Sequence, residues 1–430
     1  MIKLDYGKTG LEFNPKREWN IKVLYPKKQK ELDNPLEKIR NAIQNPVGIK
    51  KLEQIISEKG NIQNVCIVVS DATRPVPSNL IIDAVVKEFL DLGLKMSQIT
   101  ILIATGLHRG SKKEELSRII GKELVNKLNI VDHNAENRNN IEYINHPLRN
   151  QKIGINKHYY NADLKILTGY VEPHFFFGFS GGRKSIIPGI ADKDTILSNH
   201  SARNISSPNA SFGIFKENPL HQDALRCLET VGVDFAVNVC INEKHNITKV
   251  LAGDAQKVHT ELVNYQKKHI FHEFDKKFDI VVCGNGGYPL DLNLYQAVKS
   301  MAIGEMIVKN GGTIISVNEL SEGIGEGQEN FKNLLFSHKS PQEIHRQILN
   351  GSVNLPDQWE IQILVRILMK NEIIIVSELP EEQLGNIGLQ YAVNVESAIE
   401  KSLEKYGKNA SILILPNGPQ ILPFYKPKTS

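Results

Sequence analysis

NVCIVVSDATRPVPSNL, residues 64–80, decides the fold. Its unbroken apolar run, Val65–Val69, ends in a polar turn, the pattern of a strand buried on both faces and therefore of a parallel sheet. The residue before a proline is kept out of the right-handed helical region, so Pro75 and Pro77 delay any helix. The spacing predicts a helix from Ser78, which serves as its cap, to about Gly93. Strand, loop, helix is the repeating unit of an α/β fold.

The same plan recurs outward from this stretch. ITILIATGLHRG (99–110) gives a strand over 99–104, a glycine turn, then a helix opened by Ser111 with Glu114 three residues on, a capping box. NIVDHN (129–134) is a weaker third strand, and DLKILTGY (163–170) a fourth. The fourth runs into GYVEPHFFFGFSGGRKSIIPGIADKDTILSNH (169–200), too irregular to be one helix or strand until a helix begins near Asp192. Short strands are expected over 1–25, helices near 31–44, 48–59, 219–230 and 254–268, and strands at 234–242 and 247–254. A second alternation starts at FDIVVCGNGGYP (278–289), with a helix from about Leu294 and strands at 312–320, 372–379 and 411–416. The fold class expected is α/β: two Rossmann-like domains with mostly parallel sheets and the active site in the cleft between them. The first would span 1–272 and carry the reactive loops. The second would span 273–430, close over the substrate, and send its last residues back onto the first. The boundary falls in the charged stretch HEFDKKFD, residues 272–279.

The chain has 430 residues, 41% hydrophobic and 23% charged, an ordinary globular composition long enough for two or three domains at roughly 150 residues each. The net charge of +4 comes without a basic run beyond Lys27, Lys28 and Lys30, which excludes a nucleic-acid footprint. No apolar run approaches the ~18 residues of a membrane span, and the N-terminus lacks the build of a signal peptide. The four cysteines show no CxxC spacing and read as buried reduced thiols. The cytoplasm is the compartment expected.

Reactive groups gather at the carboxyl ends of the predicted strands, where α/β sheets bind ligands. Asp71 and Arg74 offer a carboxylate and a guanidinium on one turn. The guanidinium suits a carboxylate or phosphate; the carboxylate suits a ribose hydroxyl, or only Arg74 itself. His108, just past a strand end, is placed as a general base, though a surface or helix-capping histidine has the same look. His174 stands among Phe175, Phe176 and Phe177, surroundings that favour a neutral imidazole. Gly181 and Gly182 free the backbone before Lys184, but the spacing is not that of a phosphate-binding GxxxxGK[ST] loop. Lys184 is then a phosphate contact or a covalent amine. His200 offers one metal ligand without a second nearby. On the helix expected from about Leu294, Tyr295, Gln296 and Lys299 share one face, against which stands a solvated-face reading. Trp359 reads as core or interface.

Together these residues resemble the nickel-dependent lactate racemase family. The motifs are DxTRPxP at Asp71–Pro77, TGxHR at Thr105–Arg109, EPHxxxGFSGGRKSxxPG at Glu172–Gly189 and SNH at Ser198–His200. NGGYPxDxxxYQxxK at Asn285–Lys299 and DQWExQ at Asp357–Gln362 extend the likeness over nearly the whole chain. The resemblance implies racemisation of lactate, or of another 2-hydroxy acid such as malate or a sugar acid. Its cofactor is a nickel pincer nucleotide, pyridinium-3,5-bisthiocarboxylic acid mononucleotide, tethered through Lys184 and ligated by His200. His108 and His174 become the acid/base pair, and Asp71, Arg74, Gly181 and Gly182 cofactor contacts. Arg74, Tyr295, Gln296, Lys299 and Trp359 become substrate contacts. Cofactor-building proteins are the implied transient partners. Outside enzymes, a phosphate-ligand binding protein built on the Gly181–Lys184 loop is the competing reading.

Overall fold

The computed structural model describes residues 1–427. The chain forms two compact units, one of Gln29–Lys268 and one of Met1–Lys28 with His269–Ser430. Each is built on a six-stranded sheet, as the α/β reading requires.

In the unit 29–268 the strand order is Ile247–Gly253, Phe235–Ile241, Leu164–Tyr170, Val65–Ser70, Ile99–Ala104, Asn129–Asp132. All neighbours are parallel except the first pair, an antiparallel hairpin. The chain moves outward from Val65–Ser70 through two strands, then returns to place Leu164–Tyr170 on its other side. That reversal is a topological switch point, where the loops leaving two adjacent strands part and leave room for a ligand. The loops leaving there begin at Asp71 and Val171. Helices Pro35–Gln44 and Ser78–Asp91 cover one face through Ile39, Ile43, Ile81, Val85 and Phe89, all at most 1% exposed.

The other sheet is all parallel, in the order Gln390–Tyr391, Glu372–Val376, Val308–Val317, Phe278–Cys283, Ser411–Leu415, Asn20–Val23. Asn20–Val23 is the edge strand here, so the first 28 residues belong with the C-terminal half rather than with the expected 1–272 domain. The physical reason is pairing: Asn20–Val23 lies against Ser411–Leu415, and Ile2, Leu4, Phe13 and Trp19 bury in that core. The last described strand, Leu422–Tyr425, pairs with Phe271–Phe274 in the same unit.

Capping differs in detail. Ser78 is the first helical residue and does not cap. The helix after Ala104 starts at Lys113, with Glu115 bonding the Lys112 amide, while Ser111 donates instead to Asp132 at 2.8 Å. All four cysteines are buried and free. No helix among the described residues is long and apolar enough to cross a membrane.

Candidate active site

The strand Val65–Ser70 delivers Asp71 to the switch point, and the neighbouring strand delivers His108 through the turn Thr105–His108. Asp71 Oδ2 accepts a 2.6 Å hydrogen bond from His108 Nδ1, while Oδ1 accepts from the Thr73 amide (3.1 Å) and hydroxyl (2.7 Å). Burial alone would raise the Asp71 carboxyl, but His108, the nearby Arg74 charge and the Thr73 hydroxyl outweigh it and hold it below the usual carboxylate range. An ionised carboxylate only accepts, so His108 carries a proton on Nδ1, and in its neutral form the lone pair is on Nε2. Asp71, expected to touch a cofactor, has both oxygens engaged within the chain.

The second loop leaving the switch point folds as a small hairpin, Pro173–His174 against Gly178–Phe179, so that Phe175, Phe176 and Phe177 crowd its tip. Three reactive groups share this aromatic floor. The His174 ring centroid lies 4.9 Å from Phe175 and 4.6 Å from Phe176. Lys184 Nζ stands 4.6 Å from the Phe177 centroid and 5.9 Å from that of Phe176. The His200 ring is 5.3 Å from Phe176 and 5.9 Å from Phe177. His174 Nδ1 accepts the Phe177 amide at 3.3 Å, which leaves its proton on Nε2, the opposite tautomer to His108. Burial, then the Lys184 charge, push the His200 imidazole down to about 3, so it is a neutral nitrogen donor at pH 7. Lys184 itself is half-buried at the end of the Gly182–Ser185 turn.

Gly181 and Gly182 were expected to let a ligand approach. Both have positive φ, 79° and 53°, but the space a side chain would fill is occupied by the chain. A Cβ on Gly181 would lie 2.9 Å from Asn238 Oδ1 and from the Tyr170 carbonyl, and one on Gly182 would lie 3.3 Å from His259. The Gly182 amide donates to Asn238 at 3.3 Å. Internal packing accounts for both glycines.

Tyr295, Gln296, Lys299 and Trp359 form a second group, in the other unit. The helix Leu294–Glu305 is buried along its length, so its polar face is not solvated as the alternative reading would have it. Lys299 Nζ donates to Gln296 Oε1 at 2.6 Å, and Trp359 Nε1 donates to the Tyr295 hydroxyl at 2.9 Å. Burial, reinforced by Asp357 and Glu360, keeps the Tyr295 hydroxyl well above its ordinary value and protonated.

His146, Asp223 and Cys227 bring their ligand atoms within 4.8 Å of one another, yet their bonding is that of a brace. His146 Nδ1 accepts the amides of Leu148 (3.0 Å) and Arg149 (3.1 Å), so its proton sits on Nε2 and points at Asp223, 2.9 Å away. Arg149 holds the same carboxylate oxygen, Asn199 donates to the other at 2.8 Å, and burial pushes the Cys227 thiol up to about 12. Sequence reading missed this network, and also the Asp71–His108 pair, because neither partner predicts the other across sequence separations of 77 and 37.

Residues 6–213 match the lactate racemase N-terminal domain family and residues 274–422 the lactate racemase C-terminal domain family. A lactate racemase of Thermoanaerobacterium thermosaccharolyticum is 36% identical over 426 residues, 98% of both chains. A lactate racemase of Lactiplantibacillus plantarum is 37% identical over 385 residues, 89% of both. The solved lactate racemase apoprotein of T. thermosaccharolyticum superposes with a TM-score of 0.89 at 35% identity, covering 98% of this chain and 99% of its own. A Thermotoga maritima protein shares the fold at 18% identity, with a TM-score of 0.71 over 94% of this chain and all of its own. Matched in both halves and along nearly its full length, the chain belongs to the lactate racemase family.

Proposed function

We propose that the protein is an isomerase that interconverts the enantiomers of lactate. The observation that carries this reading is the shared aromatic floor of His174, Lys184 and His200, beside the Asp71–His108 pair. The residues present fit a nickel pincer nucleotide: an amine for its tether and a neutral imidazole for its metal face the same phenyl rings. What that group supplies when bound is a reversible hydride acceptor, which spares the enzyme a costly carbanion at a weakly acidic carbon.

The chain's own residues then do the positioning and proton transfer. Arg74 holds the substrate carboxylate in a two-point grip. His108, with its Nε2 lone pair oriented by Asp71, takes the hydroxyl proton as the substrate becomes a planar 2-oxo acid. His174, with its proton on Nε2, returns one when the product forms on the inverted face. The apolar rings around His174 exclude water from the oxidised intermediate. Tyr295, Gln296, Lys299 and Trp359 are the substrate or cofactor-phosphate contacts that the reading gives to the second unit.

The test uses protein produced together with the cofactor-building enzymes, given enantiopure D- or L-lactate and followed by chiral chromatography. Both enantiomers should reach the same racemic end point, and the Lys184 peptide should carry the cofactor's mass. Turnover with an unmodified Lys184 would overturn the tether; turnover of another 2-hydroxy acid but not of lactate would overturn the substrate.

A further inference from the structure

Arg183 is 1% exposed, and no carboxylate lies within ion-pair distance of it among the described residues. A buried guanidinium without a counter-charge costs several kcal/mol unless its N–H groups are satisfied. Here backbone carbonyls satisfy the two terminal nitrogens, Nη1 and Nη2, while Nε has no partner. Nη2 donates to the carbonyls of Phe177 (3.2 Å) and Phe179 (2.6 Å), and Nη1 to those of Ser180 (3.2 Å) and Gly181 (2.9 Å). Nη1 also donates to His259 Nε2 at 2.8 Å. One side chain thus gathers four carbonyls from the five residues Phe177–Gly181. The carbonyl of Phe176 is held separately by Asn218 at 2.9 Å.

We propose that Arg183, seated on His259, is a positioning residue that fixes the Phe177–Gly181 turn and so sets the aromatic floor against Lys184. The inference rests on the reading of Lys184 as the tether. Its guanidinium carbon lies 5.1 Å from the Phe177 centroid, the ring that Lys184 Nζ approaches at 4.6 Å. Consecutive residues therefore meet one ring, Arg183 holding the backbone at that residue and just after it and Lys184 presenting its amine. His259 suits its part because burial and the Arg183 charge keep its imidazole neutral; in the tautomer with the lone pair on Nε2 it accepts from Nη1, and the Ser180 carbonyl 3.0 Å from that nitrogen is a close neighbour and not a hydrogen-bond partner. Lysine cannot replace this arginine, since an ammonium lacks the planar fork that reaches separated acceptors.

The test begins in the full-length apoprotein, where it does not depend on any cofactor. Hydrogen exchange in Arg183→Lys should rise at least tenfold for amides in 175–185 while the six-stranded sheet keeps wild-type protection. Cofactor loading, read from the mass of the Lys184 peptide after production with the cofactor-building enzymes, should fall in parallel. His259→Leu, which leaves the guanidinium in place, should give a smaller effect of the same kind, and His259→Gln, which restores an acceptor, should recover part of it. If Arg183→Lys does not fold, the His259 pair carries the test. Wild-type exchange in 175–185 with full loading, or a uniform loss of protection across 29–268, would overturn the proposal. An unmodified Lys184 in active wild-type protein would instead overturn the tether and leave the exchange result standing.

Discussion

At the residue scale the Asp71–His108 contact carries the sharpest consequence. The carboxylate orients the ring through Nδ1, which leaves Nε2 as the base of the proposed mechanism. In Asp71→Asn the amide can donate to Nδ1 and present the wrong tautomer, a change that lowers kcat by about 10²–10⁴ in comparable pairs. Cofactor mass at Lys184 should be unaffected, because Asp71 bonds His108 and Thr73. Equal activity of Asp71→Asn and wild type, measured on holoprotein with matched Lys184 modification, would remove Asp71 from the mechanism. The sequence displayed both residues as strand-end polar groups but not their pairing, since the two loops meet only through the register of adjacent parallel strands. The glycines show the converse: Gly181 and Gly182 look like ligand cradles in a string of letters, and become packing requirements once Asn238 and His259 are seen beside them.

At the element scale, the helix Lys193–Asn199 holds His200 at its C-terminal end. Asp192 caps its start by accepting from the Thr195 amide, and Asn199 ties its end to Asp223 and the Leu220 carbonyl. The brace of His146, Arg149 and Asp223 thereby fixes the helix that presents His200. Asp223→Ala removes the acceptor of an imidazole, a guanidinium and an amide at once, so unfolding free energy should fall by about 2–4 kcal/mol. Zinc should not raise the midpoint of the wild-type apoprotein relative to EDTA, because His146 Nε2 already holds the proton that a metal would have to displace. A zinc-dependent rise abolished by Asp223→Ala would show that the cluster is a metal site after all. Apolar runs and breakers made most of the central sheet strands and the longer helices up to Leu294–Glu305 visible in the sequence, whereas the helices Glu329–Leu335, Pro341–Leu349, Gln358–Leu368 and Val395–Tyr406 and the hairpin of Ile141–Asn145 with Lys152–Asn156 were not read there. The brace was not, because its members are separate, ordinary polar residues on a loop and two helices.

At the scale of the whole molecule, alternating strand and helix patterns identify the two parallel-sheet units, since buried strands are written as uninterrupted runs such as Val65–Val69 and Ile280–Cys283. What they do not specify is which unit the first 28 residues join, because Asn20–Val23 finds its partner in Ser411–Leu415, almost the length of the chain away. Buried histidine sets a property of the unit 29–268 as a whole. His133 is pushed down to about 4, and His200 and His221 to about 3, by burial in every case, with Lys184 adding to His200 and Arg183 to His221. Each folded value lies below the unfolded value of about 6.5, so the unfolded chain binds more protons on acidification. The contribution is fully present above pH ~6.5 and is lost as pH falls toward the folded values, at up to about 1.4 kcal/mol per pH unit for each histidine. Carboxylates such as Asp71 act in the same direction but only below about pH 4, so the interval from 6.5 to 4 belongs to the histidines. Urea midpoints of the apoprotein should therefore drop between pH 7 and 5. His133→Gln, which removes one titrating ring from its contact with the Ala191 carbonyl, should make that slope shallower by up to one proton. A midpoint unchanged from pH 7 to 5 would mean that these imidazoles titrate in the folded protein as they do in the unfolded chain.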